Sequence, residues 1–152
     1  MGIYETGEEK TLPKRICVID GQGGGIGATL IKGLKQAYGE SVVILALGTN
    51  AAATTQMMKA RANRGATGEN AIVRTCAEAD LIIGPVSITW PNAMMGEVTP
   101  RMAEAVCASR AHKILLPLSQ ENIELVGLSG DPLPHLVEKI ISEKIKEYLE
   151  NV

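Results

Sequence analysis

The chain has 152 residues, 45% of them hydrophobic but only 3% aromatic, and it contains no Phe. This length suits one domain with a sizeable core, and the scarcity of aromatic residues indicates an aliphatic core such as a helix-covered sheet provides. A formal net charge of −2 offers no basic surface to nucleic acid or to an anionic membrane. No apolar run reaches the roughly 18 residues of a membrane helix, and the polar, acidic start is unlike a secretory signal. We therefore expect a cytoplasmic protein.

The first half of the chain alternates short apolar runs with helical patterns. Residues 1–14 are predicted to form a flexible arm, and 15–152 a single domain. "RICVID" (15–20) and "SVVILALG" (41–48) read as buried strands because they are β-branched or continuously apolar and end at glycine. A helix is predicted between them, and two more helical stretches follow, over 49–63 and 69–79, separated by glycines.

The second half continues the alternation. "DLIIGPV" (80–86) and "HKILLPLS" (112–119) are predicted strands, and "NIELVGL" (122–128) alternates weakly enough to suggest a fifth. Between the first two, a helix starts at Thr99-Pro100. A final helix is predicted to be capped by Asp131 and to keep an apolar face to its end. Strands alternating with helices predict an α/β fold: a single Rossmann-like, doubly wound, mostly parallel sheet of about five strands with helices on both faces.

A glycine loop, "DGQGGGIGATL" (20–30), joins the first strand to the first helix. Such a turn presents free backbone N–H groups at a helix N-terminus, which suits a phosphate. Its spacing fits the dinucleotide fingerprint and resembles the loop of short-chain dehydrogenases. The alternative is a turn that needs glycine only for tight packing. Ligands of such sheets bind beyond the carboxyl ends of the strands, where Pro117–Gln120 also lie. The predicted cofactor-binding residues are Gly21, Gln22, Gly23, Gly24, Gly25, Ile26, Gly27, Gly48, Thr49, Asn50, Gly84, Pro85 and Val86.

Three departures restrain the dehydrogenase interpretation. The second strand ends without the carboxylate that usually holds the ribose hydroxyls, and Thr49 and Asn50 in its place favour NADP over NAD. No Tyr-x-x-x-Lys pair exists, so the catalytic residues stay unknown, and no second domain remains to hold a substrate. Three classes are therefore open: an NAD(P)-dependent oxidoreductase, a nucleotide sensor without turnover, and an oligomeric structural protein with no bound dinucleotide. Because a site without a second domain is open, we expect a homodimer.

Residues 87–98 form a loop long enough to be functional. Its polar side chains lie beside Trp90, Met94 and Met95 in sequence, and this mixture predicts a lid or a subunit interface. Glu97 is expected to be a solvated carboxylate rather than a general acid or base. The two histidines lack metal-ligand spacing, so no metal site is predicted. The three cysteines are expected to be buried free thiols.

Four segments together resemble a family of short bacterial proteins of unknown function: "DGQGGGIG", "LALGTN", "GATGEN" and "GPVSI…NAMMGEVTP". The resemblance spans the chain from Arg15 to the last helix. The resemblance implies no particular activity. The proteins of that family are short and have no attached catalytic domain, which agrees with the absence of a second domain in this chain.

Overall fold

The structure, a computed structural model, describes residues 13–150. Most of the predicted arm lies outside this range, although Lys14 already belongs to the first strand. The strands are β1 (Lys14–Asp20), β2 (Val42–Gly48), β3 (Arg64–Thr67), β4 (Leu81–Pro85) and β5 (His112–Leu116). The helices are α1 (Gly25–Tyr38), α2 (Ala51–Lys59), α3 (Glu69–Cys76), α4 (Pro100–Ala108), α5 (Leu133–Lys139) and α6 (Ile145–Glu150), the last two joined by a π-helical turn, Ile140–Lys144.

The five strands form one parallel sheet in the order β3-β2-β1-β4-β5. β1 lies at the centre, and the chain runs outward from it first towards β3 and then, after returning, towards β5. The doubly wound α/β fold predicted from the sequence is thereby confirmed. The strand order reverses between β1 and β4, and a crevice opens at such a reversal because the flanking connections leave in opposite directions.

Alternate residues of each strand serve the two faces of the sheet. Ile16 and Val18 of β1 contribute to a core with side chains from α1, α2, α5 and α6. Cys17 and Ile19 contribute to a second core with α3, α4 and the segment 87–98. That segment is anchored by Ala93 and Val98, which are both buried in the second core. Within the described residues, no helix has the length and apolar character to cross a membrane.

The strand assignment differs from the sequence prediction at both ends of the sheet. The edge strand β3 was not predicted, because Arg64–Thr67 is only four residues long and largely exposed and so lacks an apolar run. The predicted strand over 122–128 is wrong: the segment forms no strand. It lies on the surface, with Val126 94% exposed, and Gly127 has a φ of 94°.

Two smaller expectations also need correction. Asp131 does not cap the final helix, because Pro132 occupies the N-cap position and the Asp131 carboxylate accepts a hydrogen bond from Ser129 Oγ instead. Cys107 is exposed, whereas Cys17 and Cys76 are buried as expected; all three are free thiols.

Candidate functional site

A cavity of about 750 Å³ lies over the carboxyl ends of β1 and β4, where the strand order reverses. The glycine loop forms one wall, and residues following β4 and β5 form the others. Its lining consists of Asp20, Gly21, Gln22, Gly23, Gly24, Gly25, Ile26, Pro85, Ser87, Asn92, Met94, Met95, Gly96, Leu118, Ser119, Gln120 and Glu121. Cavities of this size commonly hold small-molecule ligands or cofactors.

Asp20, the last residue of β1, organises the glycine loop. Its buried carboxylate accepts hydrogen bonds from Gly21 N at 2.8 Å and from Gly27 N at 2.7 Å. Burial raises the pKa of Asp20, and the N–H donors of the loop oppose that rise. The carboxylate thus satisfies N–H groups at both ends of the loop, including one in the first turn of α1. We infer that Asp20 fixes the shape of the loop and leaves only its middle for a ligand.

The glycines of the loop fall into two groups. At Gly21, Gly24 and Gly27 a Cβ atom has no room: it would lie 2.5 Å from Met94 Sδ at Gly21, 2.8 Å from Ala53 backbone atoms at Gly24 and 2.5 Å from Met57 Sδ at Gly27. Gly24 also has a φ of 74°.

At Gly23 and Gly25, by contrast, a Cβ atom would have no neighbour within 4 Å, and neither residue has a positive φ. Both line the cavity. Across residues 13–150, neither of their N–H groups has a protein acceptor. The packing of the chain itself therefore gives no reason for glycine at these two positions.

Glu97 was expected to be a solvated carboxylate, and this expectation is wrong. Its Oε1 accepts three hydrogen bonds: from Gln22 N at 2.8 Å, Thr49 Oγ1 at 2.7 Å and Asn50 Nδ2 at 2.7 Å. Partial burial acts to raise the pKa of Glu97, but the three donors together lower it. A carboxylate from the 87–98 segment thus lies at the end of β2, where the sequence of β2 itself provides none.

The structure brings together about half of the sequence-predicted site. Gly21 to Ile26 and Pro85 line the cavity. The other six, Gly27, Gly48, Thr49, Asn50, Gly84 and Val86, lie outside its lining. A Cβ atom at Gly48 would meet Thr54 of α2, and one at Gly84 would meet the Ile19 carbonyl, so both glycines permit close packing.

Sequence reasoning missed the role of Asp20 and assigned Glu97 to solvent. Asp20 carried a signal, since it is an acidic residue at the end of an apolar strand directly before the glycines. Glu97 carried none, because its partners lie 47 to 75 residues away in the chain.

The buried thiols are unsuited to act as nucleophiles. Burial raises the pKa of Cys17 to about 12 and that of Cys76 to about 11, so both remain protonated at neutral pH. Neither lines the cavity.

A second depression, of about 330 Å³, lies beside β2 and β3 on the face of the sheet that carries α3. Its rim includes Arg15, Arg64 and Arg74, all largely exposed, and Arg15 pairs with Glu78 at 3.7 Å. Its lining includes no residue of the glycine loop, so we take the larger cavity as the candidate site.

Comparison with known families finds that residues 15–150 match the model of a family described as Domain of unknown function (DUF3842). No curated protein matches the chain.

Proposed function

The chain belongs to the DUF3842 family, which brings no activity with it, and we propose from the site itself that the protein binds a nucleotide through the glycine loop, residues 21–27. The phosphate would lie against the middle of the loop. The observation that carries this proposal is the pair Gly23 and Gly25, which face the cavity although the packing of the chain leaves room for a side chain. A ligand that approaches the backbone closely explains glycine at both positions.

The electrostatics of the loop support a phosphate. Gly25 begins the 14-residue helix α1, whose N-terminus carries a partial positive charge. The N–H groups of Gly23 and Gly25 are available to accepting oxygens, and this combination binds phosphate in other nucleotide sites. Asp20 restricts the phosphate to the middle of the loop, because it already occupies Gly21 N and Gly27 N.

The glycine spacing favours NAD(P) as the nucleotide and an oxidoreductase as the enzyme class. A nucleotide sensor would bind the same ligand without turnover. Consumption of NADPH or NADH with carbonyl substrates distinguishes the two: turnover supports the oxidoreductase, and binding without turnover supports the sensor.

The direct test introduces a side chain into the cavity. Thermal unfolding of the purified protein is followed with NADPH, NADH, ATP and GTP. A ligand at a hundredfold its Kd stabilises the folded state by about 2.7 kcal/mol, enough to shift the Tm clearly. We expect Gly25→Val to abolish the shift caused by any nucleotide that stabilises the wild type, because the branched side chain fills the phosphate position.

Gln36→Val is the matched control. It places the same side chain on the exposed part of α1, away from the cavity, and should leave the ligand-induced shift unchanged. An unchanged shift in Gly25→Val, or no response of the wild type to any nucleotide, would contradict the proposal.

The homodimer stays a prediction. Exposed apolar side chains that could form a subunit contact occur in two segments. Val126 and Leu128, in residues 122–128, are 94% and 52% exposed, and Met95, in residues 87–98, is 96% exposed. Light scattering of the purified protein measures the mass directly, and a monomer of 16.1 kDa would contradict the prediction.

A further inference from the structure

The segment 92–97 lies across the end of β1 and separates the cavity from the end of β2. Met94 and Thr49 approach Gly21 so closely that a Cβ atom there would lie 2.5 Å from Met94 Sδ and from Thr49 Oγ1. Cavity-lining atoms come from Asn92, Met94, Met95 and Gly96, but not from Thr49, Asn50 or Glu97. The cavity therefore extends from the glycine loop towards β4 and β5 only.

Several hydrogen bonds hold this segment in position. Asn92 N donates to Val98 O at 2.7 Å, and Glu97 N donates to Met94 O at 3.1 Å, so the segment closes on itself. Met94 N donates to Glu121 Oε1 at 2.7 Å, which ties the segment to the wall beyond β5. The segment is thus fixed at both sides of the cavity.

Glu97 occupies the polar groups at the end of β2. Thr49 Oγ1 and Asn50 Nδ2 both donate to Glu97 Oε1. The Asn50 amide is fully engaged, since its Nδ2 also donates to Gln22 O at 3.0 Å and its Oδ1 caps α2 through Ala53 N at 2.9 Å. In a dinucleotide site of this fold, the end of β2 holds the adenosine ribose or its 2′-phosphate.

We propose that Glu97 is a specificity-determining residue that closes the adenosine half-site, so that the cavity takes a single phosphate ester of mononucleotide size and excludes a dinucleotide in the usual pose. The phosphate lies at Gly23 and Gly25, and the remainder of the ligand extends over Pro85 and Ser87 towards residues 118–121. The carboxylate also repels a 2′-phosphate, which opposes the NADP preference expected from Thr49 and Asn50. This inference rests on the proposed binding of a nucleotide at the glycine loop, and it replaces the dinucleotide that the glycine spacing favours with a mononucleotide.

The opposite role is that Glu97 replaces the carboxylate missing from β2 and binds the ribose hydroxyls. The two roles differ in what they require of the ligand: the first excludes the adenosine half, and the second holds it. A comparison of NAD with its two halves, AMP and nicotinamide mononucleotide, separates them.

Isothermal calorimetry of the wild type is the first measurement. We expect one of the two mononucleotides to bind at least about tenfold more tightly than NAD. Glu97→Ala removes the acceptor that holds Thr49 and Asn50, and it should raise the affinity for NAD about tenfold while changing that for the mononucleotide less than about threefold. Glu97→Gln keeps an acceptor oxygen, so it should exclude NAD as the wild type does.

The outcomes distinguish a failure of the inference from a failure of the proposed function. If NAD binds the wild type more tightly than either half, the inference is overturned and nucleotide binding stands; a loss of NAD affinity in Glu97→Ala then assigns Glu97 to the ribose. If neither NAD nor its halves bind, the inference is overturned, and the proposed function fails with it unless ATP or GTP binds. If Glu97→Ala does not fold, Glu97→Asp takes its place, because the shorter side chain withdraws the carboxylate from Thr49 Oγ1 and Asn50 Nδ2.

Discussion

Two groups of glycines alternate within one loop, and they differ in whether neighbouring residues leave room for a side chain. Gly21, Gly24 and Gly27 are required by the protein's own packing, since each would bring a Cβ atom to within 3 Å of a neighbouring residue. A Cβ atom at Gly23 or Gly25 would have no neighbour within 4 Å. A glycine-rich stretch is therefore not a single signal. Only the positions that face open space indicate a ligand, and the others indicate how closely the loop packs against α2 and the 92–97 segment.

The largest effect should follow from a side chain at a packed position. Gly24→Val forces a branched residue into a φ of 74° and places its Cβ 2.8 Å from the Ala53 backbone. A left-handed conformation costs about 1–2 kcal/mol, and overpacking about 1–3 kcal/mol more. We expect the free energy of unfolding to fall by about 2–5 kcal/mol in denaturant titration. A loss below about 0.5 kcal/mol would show that the loop relaxes freely and would remove the distinction between the two groups.

A smaller loss is expected at the carboxylate that holds the packed glycines in place. Asp20→Asn keeps one acceptor oxygen but turns an N–H₂ group towards one of the two donors, Gly21 N or Gly27 N. One buried donor is left unsatisfied, at a cost of about 1–3 kcal/mol in the free energy of unfolding. Glu104→Gln, an isosteric change at an exposed carboxylate of α4, is the control and should be close to neutral. Equal stability of Asp20→Asn and the wild type would contradict the structural role of Asp20.

How much of this could be predicted from the sequence depends on the range of the interactions. β1, β2 and β4 are built on apolar runs bounded by glycine or proline, and those runs alone located them. β3 is exposed and four residues long, and its pairing with β2 is visible only in the folded sheet. The loop was located because its glycines are adjacent in sequence, but its two groups differ only in what lies opposite them. Those neighbours come from α2 and from the segment 92–97.

Asp20 and Glu97 should make pH-dependent contributions of opposite sign to stability. The pKa of Glu97 is lowered from its ordinary 4.5, so the stability it contributes is present above that value and is lost as the pH falls through the folded pKa. The pKa of Asp20 is raised from its ordinary 3.8, so its contribution is full below that value and declines as the pH rises through the folded pKa.

Unfolding free energies measured from about pH 3 to about pH 7 test this contrast. The difference between wild type and Glu97→Gln should grow with pH, and that between wild type and Asp20→Asn should shrink. Parallel pH dependences in the two variants would contradict the assignment. The two carboxylates hold different parts of the glycine loop. Asp20 accepts from the packed glycines Gly21 and Gly27, whereas Glu97 accepts from Gln22 N, which lies between a packed and an open glycine.

The smallest effect on stability is expected at the open positions, and it is the most informative one. Gly23→Ala and Gly25→Ala place a methyl group where no atom lies within 4 Å, at backbone angles that do not require glycine. Such changes usually alter stability by less than about 0.5 kcal/mol, and alanine at Gly25 restricts the unfolded chain and so favours the folded state slightly. The methyl group nevertheless projects into the cavity, so nucleotide affinity should fall although the free energy of unfolding does not. A stability loss above about 1 kcal/mol would mean that the fold itself requires these glycines, and the argument for a ligand would then lose its basis.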